Sequence, residues 1–117
     1  MKSLLAVLIA AVVTAGSPLQ HAPAKAAAQA NPLEGQERAR QAGAKLFARE
    51  CAVCHGSDAQ GSRTAPPLRQ PEVFEAAPGS LFWVLRNGSL RRGMPSFAHL
   101  PAPQRWQIVT YMKSLTP

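Results

Sequence analysis

The chain holds two cysteines, Cys51 and Cys54, and both fall in one five-residue run, CAVCH, closed by His55. Two thiols three positions apart, with an imidazole directly behind them, suit four kinds of chemistry: a disulfide, a metal site, a redox dithiol or a covalent cofactor. A disulfide framework needs further cysteines, and the sequence has none. A structural zinc site takes four ligands, commonly a second cysteine pair or two spaced histidines. The other histidines, His21 and His99, lack that spacing. A thioredoxin-like dithiol sits after a strand in a βαβ pattern, whereas the segment before Cys51 is plainly helical in character. Covalent haem remains, and C-x-x-C-H is its attachment signature.

The spacing has a chemical reason. Two thiols add across the two vinyl groups of one porphyrin edge and form thioethers. Ala52 and Val53 are small enough to let the chain arch over that edge. His55 then falls under the iron on one face of the ring. For the sixth position the sequence offers Met1, Met94, Met112 and His99. Met94 stands in RRGMPSF, between Gly93 and Pro95, a stiff non-helical setting that can aim one side chain across a cavity. It is the expected second iron ligand. Met112 falls inside the last helix and reads as packing, and His99 as a surface-loop histidine.

The elements that must position these residues form one small domain, for the chain has 117 residues. Part of that length is not fold. A short positive start is followed by an unbroken apolar run over residues 4–13 and by alanine-x-alanine spacings. That is the grammar of a secretory signal peptide. The run is about half the roughly 20 residues a membrane-spanning helix needs, so a cleaved signal is expected, with a retained anchor as the alternative. Cleavage fits after Ala15, Ala24 or Ala30. Residues 16–32 are rich in alanine, proline and glutamine and lack an apolar face, so 1–30 read as signal plus disordered leader, His21 included. The domain is expected over 33–117, a marginal length for a core made of side chains alone. Something large and apolar belongs at its centre. In an oxidising compartment, moreover, a free thiol pair does not stay free.

Helices are expected at 34–49, 80–86 and 103–115. The first has acids Glu34 and Glu37 near its start and basic Lys45 and Arg49 near its end, which suits the helix dipole. Ser80 is a plausible N-cap for the second, and Asn87-Gly88 a stop. Pro103 is tolerated in the first turn of the third. Residues 64–71 read as loop, and no period-2 alternation or hairpin signal is present. The fold class is all-α.

With these residues in view, the chain resembles small soluble class I bacterial cytochromes c over roughly residues 39–115. Gly43 and Phe47 in GAKLFARECAVCH stand where that family carries a glycine and an aromatic before its haem motif. Ile108, Tyr111 and Met112 match its closing helix, and TAPPL matches its proline loop, with Ala65 in place of a common glycine. The resemblance implies three to five helices wrapped around one covalently bound haem c. It implies that the first and last helices cross at Gly43, with Phe47 and Tyr111 packed there. It also implies that the Pro66 carbonyl accepts a hydrogen bond from His55 and that Leu68 packs on the haem. Phe82, Trp83 and Leu85 are expected to wall the pocket, with the Trp83 indole in reach of a propionate.

The resulting expectation is a periplasmic one-electron carrier, not an enzyme. Cys51 and Cys54 attach the haem, and His55 and Met94 hold its iron. Three alternatives stand beside it: a peroxidase-like enzyme or sensor with a labile sixth ligand, an electron-accepting subunit of a periplasmic dehydrogenase, and a disulfide oxidoreductase using the two thiols. The formal charge is +7, or +5 once Lys2 and Lys25 leave with the leader. Nucleic acid is an unsuitable partner for an exported protein. Arg86, Arg91 and Arg92 instead suggest a basic rim facing an acidic patch on a dehydrogenase, a bc-type complex or a terminal oxidase.

Overall fold

The computed structural model describes residues 17–117, so the apolar run at 4–13 and the first cleavage point lie outside the described residues. Three helices of ten or more residues frame the molecule: α2 (Glu37–Glu50), α5 (Pro78–Asn87) and α6 (Ala102–Lys113). Single turns complete it: α1 (Ala24–Ala27), α3 (Ala52–His55) and α4 (Pro71–Phe74), with 3-10 turns at Pro18–His21 and Leu90–Arg92. Among the described residues the β structure amounts to one isolated antiparallel bridge, Ser89 with Met94. None of the described helices is long and apolar enough to cross a membrane.

Helix α2 starts three residues later than its charge pattern suggests. Asn31 Oδ1 accepts from the Leu33 backbone N–H at 2.9 Å, and Gly35 takes φ 76°, so residues 31–35 form a turn before the helix. At its far end the backbone barely breaks. Cys51 keeps helical angles and leads straight into α3, which Gly56 ends at φ 85°.

The crossing of α2 and α6 sets the core. A Cβ on Gly43 would lie 1.9 Å from the Gln107 carbonyl oxygen and 2.9 Å from Tyr111 Cβ, so the two backbones touch where the side chain is missing. One turn on, the Phe47 and Tyr111 rings lie 5.2 Å apart at 52°. Phe47, Ile108 and Val109 are fully buried beside this crossing.

Helix α5 begins at Pro78, not at Ser80. Pro78 pre-sets φ for the first turn, Ala77 takes the cap position, and Ser80 is buried within the helix with no capping hydrogen bond. Gly88 ends it at φ 68°. Helix α6 opens with Pro103 in its first turn and stops at Lys113, after which the chain turns to bury Leu115.

Residues 17–32 are packed on this body. Leu19 joins the partly buried shell of the core, and Asn31 is buried with its amide donating to Thr110 Oγ1 at 2.9 Å. The packed body therefore extends upstream of Leu33, held by polar and backbone contacts that an apolar-face criterion does not register.

Candidate functional site

The end of α2 and the single turn of α3 present the three motif side chains together. Cys51 is buried, while Cys54 and His55 are half-buried one turn on. The backbone N–H groups of Cys54 and His55 both donate to the Cys51 carbonyl, at 3.2 and 3.0 Å. Positions three apart on a helical turn share a face, so both thiols look the same way. Val53, between them, is 86% exposed and looks out.

Pro66 fixes the imidazole. His55 Nδ1 lies 3.0 Å from the Pro66 carbonyl oxygen. A carbonyl only accepts, so Nδ1 carries the proton and Nε2 the lone pair. The loop carrying that carbonyl is tied to the motif at several points. Gly61 N–H donates to the His55 carbonyl at 2.7 Å, Ser62 Oγ to the Cys54 carbonyl at 2.6 Å, and Leu68 N–H to the Ala59 carbonyl at 2.8 Å. Ala65 stays out of the left-handed region; the strained residue here is Ala59, fully buried at φ 61°.

Met94 comes from a loop with equally firm support. Ser89 and Met94 exchange both backbone hydrogen bonds, at 2.9 and 3.0 Å. Gly88 fits against this pair, since a Cβ there would meet the Met94 carbonyl oxygen at 2.7 Å. Phe97 N–H donates to the Leu85 carbonyl at 2.8 Å and Ser96 Oγ to the Arg86 carbonyl at 2.5 Å, which fastens the loop to α5.

These parts surround one cavity of about 970 Å³, lined by Cys51, Cys54, His55, Pro66, Leu68 and Met94 together with Phe47, Leu81, Val84, Leu85, Phe97 and Met112. That volume is at the top of the roughly 300–1,000 Å³ usual for cofactor sites. Apolar groups dominate the lining, as a porphyrin requires, and the two thiols and two candidate axial donors open into the same space. The residues fit a covalent haem. Leu81, Val84 and Leu85 form the face of α5 turned to the cavity, which leaves Phe82 and Trp83 out of the lining. Phe82 stacks on Trp106 at 3.9 Å, beneath the Arg105 guanidinium. His99 and His21 are exposed and away from the cavity, whereas Met112 is buried and reaches it.

Burial, with Glu50 and Cys54 adding to it, pushes the Cys51 thiol up to about 12. A redox dithiol needs a thiolate at low pKa, and burial works against one at Cys51. Around the opening, Arg63 and Arg92 line the cavity rim, with exposed Arg91 and Arg86 nearby in sequence. Arg63 and Gly61 are contributions that sequence reasoning missed.

This all-α scaffold around a two-thiol cavity is that of a c-type cytochrome with one covalently bound haem c. The family model described as cytochrome c oxidase, cbb3-type, subunit III matches residues 38–112, and the chain belongs to that family of electron-carrying cytochromes. Among solved structures it is similar to cytochrome CL from the marine methylotrophic bacterium Methylophaga aminisulfidivorans MPT. The TM-score is 0.65 at 25% identity, covering 74% of this chain and 59% of that one. It is also similar in fold to the c-type cytochrome XoxG from Methylobacterium extorquens AM1. There the TM-score is 0.57 at 24% identity, covering 65% of this chain and 49% of that one. The chain thus spans about half to three fifths of the length of these two structures. Comparison with curated proteins gives no match.

Proposed function

We propose that this cytochrome is an exported, periplasmic monohaem carrier that moves single electrons between redox proteins through an iron ligated by His55 and Met94. The observation that carries the reading is the convergence of His55 and Met94 on the cavity that also takes Cys51 and Cys54. When bound, the haem supplies a one-electron ferric–ferrous couple.

In this reading the chain's own residues do the rest. Cys51 and Cys54 would hold the porphyrin edge as thioethers. The Pro66 carbonyl keeps the proton on His55 Nδ1 and so presents Nε2 as a donor. The Met94 thioether, a soft donor on a loop fastened at both ends, favours the ferrous state and raises the potential. Leu68, Leu81 and Leu85 exclude water and push the same way. With both His55 and Met94 as donors, the iron would keep no open position for oxygen or substrate, which would separate a carrier from a peroxidase-like enzyme or sensor. The basic opening, with Arg63 and Arg92 on its rim, suits an acidic docking face on a dehydrogenase, a bc-type complex or an oxidase. The description of the matched family as an oxidase subunit is in keeping with a terminal oxidase among these partners. The apolar run near the amino terminus serves as the signal for export.

The test is the ferric optical spectrum. Wild-type protein is expected to show the weak far-red methionine-to-iron band. Met94→Ala is expected to lose it, to turn largely high-spin and to fall in potential. An unchanged spectrum in the variant would remove Met94 from the iron and promote Met112, which also reaches the cavity.

A further inference from the structure

The segment 17–32 has the composition of a discarded leader, yet it is fitted to the body at three places. At the first, Ser17, Pro18 and Leu19 line the cavity, and Leu19 packs against the buried core. At the second, α1 and the residues after it lie on the start of α5. A Cβ on Gly79 would meet the carbonyl oxygens of Ala26, Gln29 and Ala27 at 2.0, 2.8 and 3.0 Å. Glycine within a helix costs about 1 kcal/mol relative to alanine, and close approach of this segment is what the missing side chain permits. At the third, Asn31 is only 8% exposed. Its Nδ2 donates to Thr110 Oγ1 at 2.9 Å, and that hydroxyl donates in turn to the Trp106 carbonyl at 2.8 Å. Pro18 and Pro23 restrict the backbone at the entry to both turns, which lessens the entropy lost on docking.

We infer that residues 17–32 belong to the mature protein as a strap closing one edge of the haem cavity, and that the export peptidase cuts between Ala15 and Gly16. The inference rests on the export reading above. Of the three cleavage points the sequence allows, only this one spares the strap. Cleavage after Ala24 removes Ser17, Pro18 and Leu19 from the cavity wall. Cleavage after Ala30 also removes the three carbonyls that Gly79 is shaped to receive. Hydrolysis at the first point adds one water across the Ala15–Gly16 peptide bond, leaving a carboxylate on Ala15 and a new α-amino group on Gly16. The strap keeps water from its side of the cavity, and water at the haem favours the ferric state.

The experiment is intact-mass measurement and amino-terminal sequencing of the haem-loaded protein, expressed as the full chain with its own amino terminus in a host that exports and matures c-type cytochromes. The expected mature chain begins at Gly16. A chain beginning at Lys25 or Asn31 overturns the strap while leaving export intact. A chain still beginning at Met1 overturns the processing site and makes the apolar run a retained anchor, and protein recovered only in the cytoplasm without haem overturns the export reading. The companion variant is Leu19→Ala, with the reduction potential as readout. A downward shift with the far-red band retained supports closure of the cavity by the strap, and an unchanged potential overturns it.

Discussion

The imidazole of His55 offers a defined donor nitrogen only when its other nitrogen is held, and the Pro66 carbonyl at 3.0 Å does the holding. That carbonyl is placed in turn by Gly61. A Cβ on Gly61 would lie 2.6 Å from the Pro67 nitrogen and 2.9 Å from the Pro66 carbonyl carbon, and the residue sits at φ 85°. Gly61→Ala therefore combines a left-handed conformation with a backbone clash, and the stability of the holoprotein is expected to fall by about 2–4 kcal/mol. Guanidinium unfolding of the ferric protein measures this, and the Soret band is expected to shift as His55 loosens. At this scale CAVCH and TAPPL made the motif residues and the Pro66 carbonyl legible. Gly61 was not, because its constraint comes from a chain segment five residues away folding back on it, and a lone glycine in a loop does not advertise what it touches.

Among the elements, the crossing of α2 and α6 carries the most weight. Gly43→Ala gains about 1 kcal/mol of helix propensity but places a methyl 1.9 Å from the Gln107 carbonyl oxygen, inside contact distance of backbone that cannot rotate away. The helices must part, and the expected net loss is about 2 kcal/mol or more, read as a lower midpoint in thermal unfolding followed by circular dichroism. This crossing was legible through the family resemblance that Gly43, Phe47 and Tyr111 carry. The phase of α5 was not. In SLFWVLR nearly every residue is apolar, so no stripe marks one face. Helical geometry then turns Leu81, Val84 and Leu85, at spacings of three and four, toward the cavity, and leaves Trp83 off it. The start of α5 was misplaced for a related reason: Pro78 initiates it, and the serine that resembles a cap lies inside.

At the scale of the molecule, the side chains of the core also surround a space of about 970 Å³. Their mutual contacts across that space depend on the haem. Replacing both attachment thiols, Cys51→Ala with Cys54→Ala, is expected to leave most of the protein unfolded and rapidly proteolysed, as judged by far-ultraviolet circular dichroism and yield from the periplasm. A stable, helical, haem-free double variant would show that the side-chain core suffices. The all-α class and the need for a large central group were legible from length, cysteine spacing and helix signals. The packing of residues 17–32 was not, since Gly79 receives backbone carbonyls, Asn31 joins Thr110 through a hydrogen bond, and hydrophobic patterning records neither contact. Retaining that segment would keep Lys25, and a mature chain that loses Lys2 alone would carry +6.

The central claim is that this cavity holds a haem iron saturated by His55 and Met94 and therefore limited to changing valence. Spectroelectrochemical titration of the purified holoprotein near neutral pH, with carbon monoxide offered to the reduced form, tests it most directly. The account predicts a single reversible one-electron wave between two low-spin species, with the reduced spectrum unmoved by carbon monoxide. A high-spin end state, or prompt uptake of carbon monoxide by the ferrous protein, would contradict it and establish an open coordination position of the kind an enzyme or sensor uses.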